Sequence, residues 1–305
     1  MNDVIETRGL AKSFGRVHAV VDANLIVPSG SIYGLVGANG AGKSTLLRLV
    51  VGRFQPSSGE VYVLGENLSA ISPKLLYERL HYIAGDIGAY PDLRVAEMLN
   101  VARLMYRKWD KTREAQLLEA FSLPTKQRIR HLSKGKQMQL RFVIGLSARP
   151  EILVLDEATN GLDPVVKQQL LHLVLEAAAA DEMTVLFATQ QLEEIERMAD
   201  HVAVMANGRI ISAQTLDSLQ ERIHEVCCVL DRPVSAQLLQ HPNVLRIWRQ
   251  GTYLSLVVDG DVDVWKHRLT SVNAEYIDVH SLDLYELFHI MMEEEGYRRD
   301  RVHFS

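Results

Sequence analysis

The sequence predicts an α/β fold in two parts: a larger part at 1–215 with a helical subdomain at about 85–147, and a smaller ferredoxin-like α/β part at 222–305. Three observations carry this. The apolar run Ile32–Val36 passes through a glycine-rich loop into a helical stretch. Two buried-type strands, Ile152–Leu155 and Thr184–Ala188, flank the helix Val165–Ala180, as a βαβ unit requires. The last part reads βαββαβ plus a helix, the order of a split βαβ unit.

Taken in order, Val4–Arg8 and His18–Val27 alternate or run apolar, as strands do. Ile32–Val36 is a buried strand and Lys43–Val51 the helix after the loop. Val95–Tyr106, Thr112–Ser122 and Lys136–Leu146 carry apolar residues at helical spacing. Asn207-Gly208, between Val202–Met205 and Arg209–Ile211, marks a hairpin turn. The tail follows as strand Val226–Leu230, helix Ser235–His241, strands Val244–Arg249 and Tyr253–Val258 around a Gln250-Gly251 turn, helix Val262–Leu269, strand Tyr276–His280 and helix Leu282–Glu295.

Composition narrows the classes. A chain of 305 residues suits roughly two domains. Apolar content of 47% and charged content of 23% are ordinary for a globular protein. The balance of 33 basic against 38 acidic side chains gives no drive toward nucleic acid, which is not expected as a partner. The run Ala23–Gly42 is 20 residues without a charge, but Pro28 and five glycines rule out a spanning helix. No signal peptide is visible, and adjacent Cys227 and Cys228 read as reduced thiols, which fits a cytoplasmic chain.

The loop Gly37-Ala-Asn39-Gly40-Ala41-Gly42-Lys43-Ser44-Thr45 fits G-x-x-x-x-G-K-[ST] between a strand and a helix. Its three glycines are expected to take positive φ and bring backbone N–H groups to phosphate oxygens. Lys43 places a charge on the β- and γ-phosphates of ATP, and the Ser44 hydroxyl suits Mg²⁺. The following helix start adds partial positive charge. Ile152-Leu-Val-Leu-Asp156-Glu157 is the partner motif, an apolar strand ending in two carboxylates. Asp156 is assigned to the Mg²⁺ shell and Glu157 to the attacking water as general base.

These motifs, in this order, resemble an ABC-type ATPase subunit, the P-loop nucleotide-binding domain of an ABC transporter, over about residues 3–215. The resemblance implies that Phe14 stacks on adenine. It aligns Leu132-Ser133-Lys134-Gly135-Lys136 with the LSGGQ signature, so that Ser133 and Gly135, at the start of the helix Lys136–Leu146, hold the γ-phosphate on a second ATPase subunit. It also places Asp163 in the D-loop.

Three departures stand out. Lys134 and Lys136 replace the usual glycine and glutamine of the signature, a variant that resembles exporter ATPases with a separate permease. Gly85 occupies the place of the Q-loop glutamine; the neighbouring Asp86 reads either as a replacement contact for metal or water or as a turn residue. Gln190 stands where the switch histidine is expected. Glutamine donates a hydrogen bond but carries no charge, so slow turnover is expected, with Gln190 counted beside Glu157 and Lys43 in the catalytic set.

The leading functional expectation is therefore an energy-coupling subunit that closes as a dimer around two ATP molecules and drives integral-membrane permease subunits, docked at the inner face of the cell membrane. The helical segment Asp92–Ser122 is the family's docking region. The tail element Ser281-Leu-Asp-Leu-Tyr-Glu-Leu-Phe288 resembles one near the end of many exporter ATPases. A soluble non-transport ABC ATPase and a low-turnover nucleotide-gated regulator are the alternatives.

Overall fold

The computed structural model describes residues 3–85, 90–230 and 241–294. The chain forms two compact units, 1–213 and 214–305.

In the first unit, β1 (Asp3–Phe14) and β2 (Val17–Pro28) pair antiparallel. With β4 (Ser58–Val63) and β5 (Glu66–Asn67) they make a sheet in the order β2-β1-β4-β5. Along β2, Val20, Ala23, Leu25 and Val27 point into the core, while Ile26 is exposed. β1 runs well past Arg8, because both its edges are paired and a register shift near Gly9 and Asp22, both at positive φ, absorbs the irregularity.

The second sheet has the order β10-β9-β3-β8-β7-β6. Its strands are β3 (Ile32–Val36), β6 (Leu80–Ala84), β7 (Ile152–Asp156), β8 (Thr184–Thr189), β9 (His201–Ala206) and β10 (Arg209–Thr215). From β9 to β6 every pairing is parallel. β7 and β8 are buried at every residue, as expected of strands covered on both faces. β9 and β10 meet at Asn207 and Gly208, both at positive φ, as a tight hairpin requires.

Helix α1 (Lys43–Val50) packs against strands of both sheets. Leu46, Leu47, Leu49 and Val50 are fully buried there. Eight residues are too few to hold a helix alone, so this burial holds it. α2 (Pro73–Arg79) leads into β6 after a Ser72 cap. The helical segment contains α3 (Val95–Met105), α4 (Lys111–Ala120) and α5 (Lys134–Ser147), and α6 (Pro164–Asp181) and α7 (Leu192–Met198) follow. α5 starts two residues earlier than its apolar spacing suggests. Ser133 caps it by accepting the Lys136 N–H, which draws Lys134 and Gly135 into the first turn.

Asp181, at the end of α6, ties three helices together. Its carboxylate accepts hydrogen bonds from Arg113 on α4 and from Arg149, just beyond α5. Burial raises its pKa, but the two guanidiniums more than offset this and hold it below the ordinary value. Asp181→Asn is expected to cost about 1–2 kcal/mol of unfolding free energy at pH 7. Because the folded pKa is depressed, the difference between the two proteins is complete above the unfolded pKa and disappears as pH falls through the folded one. Urea unfolding at pH 7 and pH 3 checks this.

The second unit contains α8 (Leu216–Arg222), β11 (Ile223–Val229), β12 (Val244–Gln250), β13 (Tyr253–Asp259), α9 (Val262–Ser271), β14 (Glu275–Ser281) and α10 (Leu284–Glu294). The sheet order is β12-β13-β11-β14, antiparallel at each pairing. Counted within the tail this is 2-3-1-4, the ferredoxin-like order. Val226, Cys228, Leu254, Leu256 and Val258 pack against Trp265 and Leu269 of α9. Both cysteines are free and buried. The expected helix Ser235–His241 lies outside the described residues, apart from His241.

Candidate functional site

The parallel sheet places the chemistry. β3 lies between β8 and β9; the chain crosses from β3 toward β6 on one side and from β8 to β9 on the other, so a crevice opens at the carboxyl ends of the strands. The loop 37–42 leaves β3 there and enters α1, while Asp156 and Glu157 end β7 and Gln190 follows β8.

The loop is held by its backbone. Gly208 donates its N–H to the Ala41 carbonyl at 2.9 Å, and Val21 donates to Gly208 at 2.8 Å. Gly40 and Gly42 have φ of 79° and 106°, as expected. Gly37 does not; its need for glycine is space, because a Cβ would sit 2.3 Å from the Met205 carbonyl oxygen. A Cβ on Gly42 would lie equally close, 2.3 Å, to the Ala19 carbonyl oxygen on β2. Asn39 and Gly40 are exposed at the crest, Ala41 is buried and Ser44 and Thr45 are half-buried.

Lys43 is only 3% exposed. Its ammonium donates to the Gly37 and Ala38 carbonyls at 2.8 and 3.1 Å and lies 3.5 Å from Glu157 Oε1. Burial lowers its pKa, against the pull of Glu157 and Asp156. These contacts curl the lysine back over its own loop.

Asp156 is also 3% exposed and both its oxygens are engaged. Ser44 Oγ donates to Oδ1 at 2.7 Å and Tyr82 Oη donates to Oδ2 at 2.6 Å, with Arg48 Nε 3.9 Å from Oδ2. Glu157 has φ of 48°, a strained conformation for a non-glycine residue and one that clusters at reacting centres. Its N–H is held by the Ala188 carbonyl at 3.0 Å. Its Oε1 accepts Gln190 Nε2 at 3.0 Å and its Oε2 accepts Asn160 Nδ2 at 2.9 Å. Lys43, Ser44, Asp156, Glu157 and Gln190 thus stand as one connected cluster.

The remaining sequence candidates lie around this cluster or apart from it. Phe14 ends β1 opposite Val17, 46% exposed, with its edge against Phe54 and the Lys12 ammonium 5.2 Å from its centroid. Ser133 is exposed at the start of α5. A Cβ on Gly135 would meet only Leu162 Cδ2, at 3.9 Å, so nothing within the chain demands glycine there. Asp163 is exposed and caps α6 by accepting the Val165 N–H. Asp86 lies outside the described residues. Gly85 donates to the Asp156 carbonyl at 3.3 Å.

Three residues at the site escape sequence reasoning. Tyr82 and Arg48 meet Asp156 only through the fold. Arg141 on α5 donates to the carbonyls of Ala84 and Gly85. A cleft of about 680 Å³ joins Ser44, Arg48, Arg141, Asp156 and Glu157. Separately, an open, largely apolar groove of about 460 Å³ runs between β6 and α3, lined by His81, Tyr82, Met98, Met105, Tyr106 and Ile144.

With this geometry in place, comparison is decisive. The family described as ABC transporter matches residues 20–160. The bacitracin transport ATP-binding protein BcrA of Bacillus licheniformis is 32% identical over 224 residues, 73% of each chain. The chain belongs to the ABC transporter ATP-binding family. The ABC transporter ATP-binding protein YtrB of Bacillus subtilis (strain 168) is 26% identical over 285 residues, 93% of this chain and 97% of that protein. A solved ATP-binding subunit of an ABC transporter superposes with a TM-score of 0.65 at 27% identity, covering 72% of this chain and 92% of that one. This ABC ATPase therefore has its P-loop fold and its ATP-binding assignment from the family, and no helix among its described residues is long and apolar enough to cross a membrane.

Proposed function

We propose that this ABC ATPase hydrolyses ATP to drive export through separate integral-membrane permease subunits, working at the inner face of the membrane. The observation that carries the reading is the cluster of Lys43, Ser44, Asp156 and Glu157 at the strand ends. In it Lys43 binds the β- and γ-phosphates, and Glu157 takes the proton of the attacking water. Phe14 stacks on adenine, and the loop N–H groups from Gly37 to Thr45 cradle the phosphates.

The residues fit Mg²⁺. It commonly takes one carboxylate plus substrate phosphates rather than a protein cage, and Ser44 Oγ stands 2.7 Å from the buried Asp156 carboxylate. Ser44 and Asp156 would hold the ion, and bound Mg²⁺ supplies neutralisation of charge on the β- and γ-oxygens. Ser133, Gly135 and Asp163 are exposed, or open to approach in the case of Gly135, as residues that meet a second subunit's nucleotide need to be.

The groove beside α3 supports the permease reading. Leu104 is 90% and Met105 56% exposed, apolar surface beside an apolar groove. Export is favoured by the lysine-bearing signature and the tail element at 281–288. Pull-down from solubilised membranes with ATP and Mg²⁺ is expected to recover an integral-membrane partner. Recovery of ribosomes or DNA with no membrane protein overturns the reading. Uptake by inside-out vesicles tests direction, and accumulation only in right-side-out vesicles rejects export.

A further inference from the structure

Tyr82 belongs to two features at once. It is among the residues that line the groove, and its hydroxyl donates to Asp156 Oδ2 at 2.6 Å. The two are joined by a single residue because β6 pairs with β7 in parallel, with Tyr82 opposite Val154 and Ala84 opposite Asp156. β6 is also the last strand of its sheet, so β7 is its only strand neighbour among the described residues. Force applied in the groove therefore meets an edge strand whose tyrosine ends on the buried carboxylate. The Arg53 guanidinium lies 4.8 Å from the Tyr82 ring centroid and braces the ring.

A carboxylate that holds a metal is aimed by whatever bonds its other oxygen. Ser44 already occupies Oδ1, on the nucleotide side. We infer that Tyr82 is the positioning residue that aims Asp156 at Mg²⁺, and that the groove it lines is coupled to Mg²⁺ binding through it. The inference rests on the assignment of Asp156 to the metal. It gives the chain, which has Gly85 at the Q-loop glutamine position, a connection from groove to metal carboxylate through a different residue.

The test is calorimetric titration of ADP into the full chain, in EDTA and across free Mg²⁺ concentrations. Tyr82→Phe keeps the ring and removes the donor. It is expected to raise the Mg²⁺ concentration needed for half-maximal enhancement about tenfold, with affinity in EDTA unchanged. Tyr82→Met, which also lacks the hydroxyl, must give the same shift. Met98→Trp, which adds bulk to the groove, is expected to move the Mg²⁺ midpoint at least threefold or so in the parent and not in the Tyr82→Phe background, the signature of coupled sites. Equal Met98→Trp shifts in both backgrounds, or none in either, overturn the coupling. Unchanged Mg²⁺ dependence in Tyr82→Phe overturns the positioning role. Asp156→Asn separates the two levels: if it too leaves the Mg²⁺ dependence unchanged, the metal assignment itself fails.

Discussion

Replacing Glu157 with glutamine is expected to lower ATP turnover about 10³-fold while nucleotide binding survives, the size of effect seen when a positioned general base is removed. The geometry makes this separation possible. Glu157 does not hold the loop; that is done by Gly208, Ala41 and the Lys43 ammonium on Gly37 and Ala38. Its N–H bond to Ala188 is backbone and survives the change. Both side-chain partners, Gln190 and Asn160, donate to Glu157, so in the variant one keeps an oxygen acceptor while the other must flip its own amide to accept from the new NH₂. Lys43 loses an anionic neighbour at 3.5 Å and is left with one fewer competitor for phosphate. Fluorescent-nucleotide binding should therefore be equal or tighter, and phosphate release nearly absent. A fall of less than about tenfold in turnover would remove Glu157 from the base role.

The parts of this site written in contiguous residues are legible in sequence. The loop 37–45 and the strand end 152–157 announce themselves because strand, glycine spacing and charge lie within a few residues, and β3 runs over the expected residues, Ile32–Val36. The tail's four strands and its last two helices are legible for the same reason, since each is local. The stretch 52–84 is not. β5 has two residues and α2 seven, too short for periodicity to register. Tyr82 and Asp156 are 74 positions apart, and nothing in either neighbourhood points to the other. Gly37 shows a subtler gap. The expectation of glycine was right in residue and wrong in cause, because the need arises from the Met205 carbonyl on a strand that sequence places far away. Local backbone chemistry reads from the chain; close approach between distant elements does not.

Gln190 is where a single substitution should raise activity rather than lower it. Its amide donates to Glu157 Oε1 at 3.0 Å, so it already stands beside the proposed base. What it lacks is charge. A histidine there, beside a carboxylate and, in the function proposed, facing phosphate, has its protonated form favoured by both neighbours. Gln190 is exposed in the single chain; once the proposed dimer closes and excludes water, a charged donor is worth about 2–4 kcal/mol more at the transition state. Gln190→His is therefore expected to raise kcat about 10²-fold, with KM for ATP changing little, because the gain appears where charge develops. The pH profile identifies the cause. A histidine pKa raised by its partners keeps the gain at pH below that value and loses it as pH rises through it, whereas the parent glutamine has nothing to titrate. Combining Gln190→His with Glu157→Gln should abolish the gain, since the charge assists a proton transfer that no longer has an acceptor. A Gln190→His protein no faster than its parent at pH 6 and pH 7 would mean that the glutamine does not limit turnover. The barrier would then lie elsewhere, in the Gly85 segment or in dimer closure.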